Sequence, residues 1–224
     1  MPQAELLQKV LDRANIGDWD LLLIGDGSGT GWEDACGWAS ILIDKSNRAR
    51  KTFYGGMNFG SVNLAEMMPY FQSMVWYHHS HGKARLKQKC PLLVHVITDS
   101  QVTALHGNRA ASGHEDLAKV GHRALWAAMR EFAALGYRFE WHWAGRCDSG
   151  LNYLADLIAG LSRREIKHVG IDLTGVDGVL AVRGANAIQR VTFADPETGE
   201  VISPYSINPD GESTHESRTT GQNQ

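Results

Sequence analysis

Asp99 closes the apolar run Pro91-Leu-Leu-Val-His-Val-Ile-Thr98, which reads as a strand buried on both faces. A carboxylate at the C-terminal edge of a central strand stands where ligands bind in an open α/β sheet. The same arrangement occurs earlier, where Leu21-Leu-Leu-Ile-Gly25 runs into Asp26-Gly-Ser-Gly. Two such strands side by side would hold both anions within a few ångströms, where they repel unless a cation lies between them. Two further acids interrupt apolar helical patterns: Glu66 in Asn63-Leu-Ala-Glu66 and Asp156 in Asn152-Tyr-Leu-Ala-Asp156. An acid near a helix start is often only a partner of the helix dipole, and either residue alone has that reading. All four together are harder to dismiss as dipole partners, and the two strand aspartates suggest a metal site.

The elements that must position these acids follow from periodicity. Residues 3–14 form a short amphipathic helix, and strand one covers about 20–27. Strands at 36–44 and 48–57 form a hairpin through Asp44-Lys-Ser-Asn47. A helix from Ser61 or Asn63 to about His81 carries Leu64, Met67, Met68, Phe71, Met74 and Val75, with Pro69 expected to kink it. His78-His-Ser-His-Gly-Lys-Ala-Arg-Leu-Lys-Gln-Lys89 reads as a solvated basic connection, its histidines at the surface in a spacing that fits no closed zinc site. After the central strand 91–99 come helices from Ser100 and over 114–135, a strand at 137–143 and a last helix at 150–167. Trp141 and Trp143 share a face of that strand and read as core. The order is β-β-β-α-β-α-α-β-α, a mixed sheet flanked by helices.

Composition narrows the class. Apolar residues make up 43% and charged residues 21% of 224, ordinary for a globular chain. No run of about 18 apolar residues occurs, so no membrane partner is expected, and residues 1–15 lack a signal-peptide core. Cys36, Cys90 and Cys147 are odd in number and far apart, which suits free thiols and a cytoplasmic location. The net charge of −3 is uneven: residues 170–224 carry eight acids against three arginines, leaving 17 acids and 19 bases before them. With four acids neutralised by metal, the surface of the first 169 residues is basic and suits a polyanion.

Asp26-Gly-Ser, Gly37-Trp-Ala-Ser-Ile-Leu, Asn63-x-x-Glu66, Thr98-Asp-Ser-Gln101 and Trp141-x-Trp…Asn152-x-x-x-Asp156 together resemble the type 1 ribonuclease H family over residues 20–167. The resemblance implies a ribonuclease H-like α/β fold, a mixed five-stranded sheet flanked by helices. It implies that Asp26, Glu66, Asp99 and Asp156 bind two Mg²⁺ or Mn²⁺ ions and hydrolyse the RNA strand of RNA/DNA hybrids. By the same match Asn63, Gln101 and Asn152, with Gly27 and Ser28, would contact the hybrid, whose minor groove displays 2′-hydroxyls. Arg146 stands where the family usually has a histidine beside the last acid; it stays charged and cannot shuttle a proton. Asp148 is either an extra acid or an exposed turn residue. The family's basic protrusion is not evident, and Lys83, Arg85, Lys87 and Lys89 would replace it from another loop.

The expected organisation is an N-terminal helical extension (1–19), the catalytic domain (20–168), an acidic extension containing a β-hairpin (169–206) and a polar tail (207–224). The acidic region has the wrong sign for a nucleic acid backbone and is expected to meet a protein partner. Two other functions fit the same pattern: a junction resolvase or exonuclease on this fold, or a non-catalytic adaptor.

Overall fold

The computed structural model describes residues 3–30, 34–46, 50–113, 121–145, 150–169, 172–176, 179–183, 193–194 and 201–202. Helix α1 (Gln3–Arg13) leads into β1 (Leu21–Ser28), which is antiparallel to β2 (Asp34–Asp44), itself antiparallel to β3 (Arg50–Gly60). Helix α2 (Val62–Tyr77) continues through a π-helical stretch (His78–Gly82) into α3 (Lys83–Gln88). Strand β4 (Leu92–Thr98) then lies parallel to β1, with Ile24 opposite Ile97. Helices α4 (Gln101–Ala111) and α5 (Arg123–Ala134) lead to β5 (Tyr137–Trp143), parallel to β4, and α6 (Gly150–Val169) follows. The central order is β5-β4-β1-β2-β3, the mixed five-stranded sheet expected from the sequence.

Each face of β1 meets a different layer, because successive side chains of a strand point to opposite sides. Leu21 and Leu23 pack with α2 and α5, whereas Leu22 and Ile24 join Val10, Trp19, Ile41, Ile43 and Leu151. Every residue of α2 from Ala65 to Tyr77 is buried. A helix buried all round sits between other layers rather than against one. Here the sheet lies on one side and α4 and α5 lie on the other. Ser61 caps this helix by accepting from the Leu64 amide at 3.1 Å. Pro69 does not end it: the Pro69 carbonyl accepts from Ser73 Oγ at 2.7 Å and the helix runs on. On the opposite face, a Cβ on Gly37 would fall inside the backbone of Ala159 and Arg163, so α6 lies directly on β2. Arg163 reinforces that contact through Ala35 O at 3.0 Å and Asp34 Oδ2 at 3.1 Å.

Three local expectations differ from the structure. The basic segment is helical, because no breaker follows Tyr77 and the turns continue through His78–Gly82. His78 is buried rather than exposed; its Nδ1 lies 3.0 Å from Tyr137 Oη, and burial pushes the imidazole down to about 4. The sheet also continues past residue 168. Strand β6 (Asp172–Val176) pairs with β3 and β7 (Val179–Arg183) pairs with β6, while β8 (Phe193–Ala194) and β9 (Val201–Ile202) form a separate short ladder.

Strand β6 covers an edge of β3 that would otherwise present unpaired backbone groups. A chain ending at residue 169 should therefore be less stable than one ending after Arg183, by on the order of 2 kcal/mol for a few lost ladder bonds. Urea unfolding with size-exclusion chromatography measures the difference; equal stability and equal monomer content would place β6 outside the folding unit.

Candidate metal centre

Parallel pairing of β1 with β4 puts the chain after Ile24 beside the chain after Ile97, which brings Asp26 next to Asp99. Glu66 arrives from α2, and carboxylate oxygens of Asp26, Glu66 and Asp99 all lie within 4.8 Å of one another. Asp156, from α6, lies close enough to Asp26 for its charge to raise that carboxyl. All four acids singled out in the sequence thus converge from four different elements. Glu66 is the fifth residue of α2, beyond the first turn, so partnership with the helix dipole does not account for it.

Glycine makes the approach of α2 feasible. A Cβ on Gly27 would stand 2.5 Å from Ala65 C and from Glu66 N. The fully buried Tyr70 spans the two strands just before the acids: its hydroxyl reaches Gly25 O at 2.8 Å and Ile97 O at 3.0 Å. Gly27 is thus explained by helix packing, and no ligand contact is needed to account for it.

The site is partly buried and crowded with like charge. Asp26 is 5% exposed and Glu66 is 7% exposed, while Asp99 and Asp156 are half-buried. Desolvation, and after it the charges of Asp99 and Asp156, pushes the Asp26 carboxyl up to about 8. The Gly27 amide, donating to Asp26 Oδ1 at 2.7 Å, opposes that shift. An all-oxygen donor set that holds its own proton near neutral pH is short of positive charge. It fits divalent ions such as Mg²⁺ or Mn²⁺.

Other candidates fall into groups. Asn63 and Gln101 are exposed at the starts of α2 and α4, three residues before Glu66 and two after Asp99. Ser28 is half-buried at the end of β1, and Asn152 is buried on α6 one turn before Asp156. Arg146, Cys147 and Asp148 lie outside the described residues. The basic run is not brought to the acids. Lys89 Nζ sits 2.8 Å from Asp20, Arg85 sits 3.8 Å from it, and Lys83 and Lys87 ride the same helix. Asp20 precedes β1, so Asp26 lies about 20 Å away at the strand's other end. The cause is the unbroken course of α2, which begins at the site and carries everything after Tyr77 away from it.

Two neighbours of the site escaped the sequence reading. Trp143 is 54% exposed, and its indole N–H donates to Asp99 O at 3.0 Å. Strand alternation groups it with the buried Trp141, but β5 ends at Trp143 and, among the described residues, it stays 54% exposed. His122 places Nε2 2.8 Å from Ser61 Oγ, at the capped start of α2. The sequence holds no short-range signal for a contact between residues so far apart.

No family model matches the chain, and no curated protein matches its sequence. Among solved structures it is similar to the N-terminal RNase H domain of a Mycobacterium tuberculosis protein fused to maltose-binding protein: 16% identity, 68% of this chain, 99% of that one, TM-score 0.49. RNase H1 of the archaeon Halobacterium salinarum is 14% identical over 65% of this chain and 98% of that one, with a TM-score of 0.45. LC11-RNase H1, from compost, was solved in complex with an RNA/DNA hybrid; it is 15% identical over 66% of this chain and 99% of that one, TM-score 0.45. By its own strand order and directions, β5-β4-β1-β2-β3 with only β2 antiparallel to its neighbours, and by the helices on both faces, the chain has a ribonuclease H-like fold.

Proposed function

We propose that the chain is a divalent-metal-dependent endonuclease that hydrolyses the RNA strand of RNA/DNA hybrids. The observation that carries this reading is the meeting of Asp26, Glu66 and Asp99 within 4.8 Å, with the charge of Asp156 acting on Asp26. Two divalent ions held by these carboxylates would supply an activated water and neutralise charge on the scissile phosphate. The chain's own contribution is placement. The β1–β4 pairing, tied by Tyr70, keeps Asp26 and Asp99 at a fixed separation. Burial of Asp26 and Glu66 keeps bulk water from screening their field. Asn63 and Gln101, exposed at the starts of α2 and α4, would hydrogen-bond 2′-hydroxyls and base edges, which would favour a hybrid over duplex DNA.

A panel of RNA/DNA hybrid, duplex DNA, duplex RNA and a four-way junction, each with Mg²⁺ or Mn²⁺, should show cleavage of the RNA strand of the hybrid. Preferential cutting of the junction would select the resolvase reading. Asp99→Asn retains shape and loses charge, and should lower the cleavage rate by at least about 10²–10³-fold, the scale of losing one preorganised electrostatic group. Hybrid binding by fluorescence anisotropy should stay within a few-fold; parental cleavage by the variant would refute the site.

Asp26 also gives a metal-removal test. Its folded carboxyl titrates near 8, well above the ordinary 3.8, so between those values the folded chain holds a proton that the unfolded chain lacks. Stability in chelator is then highest at low pH and falls as pH rises toward 8. Asp26→Asn should raise Tm in chelator at pH 8 by about 2–4 °C or more, corresponding to about 1 kcal/mol. The gain should shrink at pH 5, and Mg²⁺ should stabilise the parent more than the variant. A variant with lower Tm at both pH values would overturn the electrostatic account.

A further inference from the structure

A second cluster of ligating groups lies outside the acidic centre. His95 on β4 stands opposite Glu140 on β5, and His142 lies two residues further along β5 on the same face. Ligand atoms of the three lie within 4.8 Å of one another. His95 is buried and Glu140 and His142 are half-buried, because α6 packs across β1, β2 and β3 and leaves this part of the face open. Asp99 is four residues beyond His95, about 13 Å along the strand, so the two clusters are separate.

The hydrogen bonds fix which atoms are free to ligate. His95 Nε2 lies 2.9 Å from Asp18 O, and a carbonyl can only accept, so the His95 proton is on Nε2. His95 Nδ1 then carries a lone pair, and at 2.8 Å it accepts from His142 Nε2. A ring nitrogen bound to a backbone carbonyl, with its partner nitrogen directed inward, is the usual arrangement behind a metal-ligating histidine. Glu140 is oriented in a similar way: Arg138 Nη2 holds Oε1 at 3.3 Å, and Oε2 lies 3.7 Å from His95 Nδ1. We propose that His95 Nδ1, His142 Nε2 and the Glu140 carboxylate form a metal site of the zinc class, with solvent completing a tetrahedron.

Such an ion binds imidazole nitrogen at about 2.0–2.1 Å, which separates two ligand nitrogens by about 3.3 Å. The two rings, stacked with centroids 5.1 Å apart, need open by only about half an ångström from their hydrogen-bonded contact to accept it. On binding, the proton on His142 Nε2 moves to Nδ1. Desolvation, and then His95, lower the His142 imidazole against the opposing charge of Glu140. The donors also separate the two centres by chemistry, since nitrogen ligands select zinc-class ions and carboxylates select Mg²⁺ or Mn²⁺. Bound there, an ion would clip edge strand β5 to β4 and, through Asp18, to the segment ahead of β1.

The test uses the full chain with excess Mg²⁺ present, so that the acidic centre is not the titrated site. Calorimetry with Zn²⁺ should show one equivalent bound and a rise in Tm. His142→Asn and Glu140→Gln, at half-exposed positions that tolerate exchange, should each weaken binding by at least about tenfold. Cu²⁺ used as a probe should show electron paramagnetic resonance splitting from two imidazole nitrogens, reduced in His142→Asn and unchanged in Asp99→Asn. No Zn²⁺ binding beyond what Mg²⁺ displaces, or a nitrogen signal indifferent to His142, would reduce the cluster to a plain His–His hydrogen bond. Cleavage data do not enter either readout, so this site stands or falls apart from the nuclease reading.

Discussion

The seating of α2 on the C-terminal half of β1 is the contact on which the rest depends. It needs a strand without side chains at Gly25 and Gly27, where a Cβ would press on Tyr70 and on the Ala65–Glu66 backbone respectively. With the backbones that close, Tyr70 can reach Gly25 and Ile97 together and hold β1 against β4 just before the acids. Glu66 is then delivered beside Asp26 by main-chain geometry, at no cost in side-chain freedom beyond its own. The same glycine that follows Asp26 therefore serves architecture first and the site through it.

Holding carboxylates together works against folding, and the frame around them shows how the cost is borne. Ordinary core burial on both faces of β1 and β4 supplies a large favourable term. α6 adds its own anchor through the bare surface at Gly37 and the Arg163 contacts to β2, which fixes Asp156 from the opposite side. Burial first, and then the charges of Asp99 and Asp156, push the Asp26 carboxyl up to about 8. A site of this kind is poised to gain stability from any divalent ion it accepts.

The sheet carries two ligand sets of different character on neighbouring strands. At its carboxyl edge the donors are all oxygen; along β4 and β5 they are mainly nitrogen, oriented by Asp18 and Arg138. Trp143 follows His142, and its indole N–H donates to Asp99 O.

Much of this was legible in the chain itself. The apolar runs ending on Asp26 and Asp99, the Ser61 and Ser100 caps, and the helical spacing around Glu66 and Asp156 are local patterns of period and capping. They determined the elements, their order and the four acids, because each depends on residues close in sequence. What the tertiary structure alone decided is which distant groups meet. The basic run looked available for substrate until the unbroken α2 carried it to Asp20. Trp143 looked like core until β5 ended beyond its cover, and only the β4–β5 register, with His95 opposite Glu140, brings His95 near His142. Even β6, read as part of a separate extension, became the neighbour of β3. Register and helix crossing are set by packing summed over the whole core, so one residue of slip would turn His95 from Glu140 while leaving every local pattern intact.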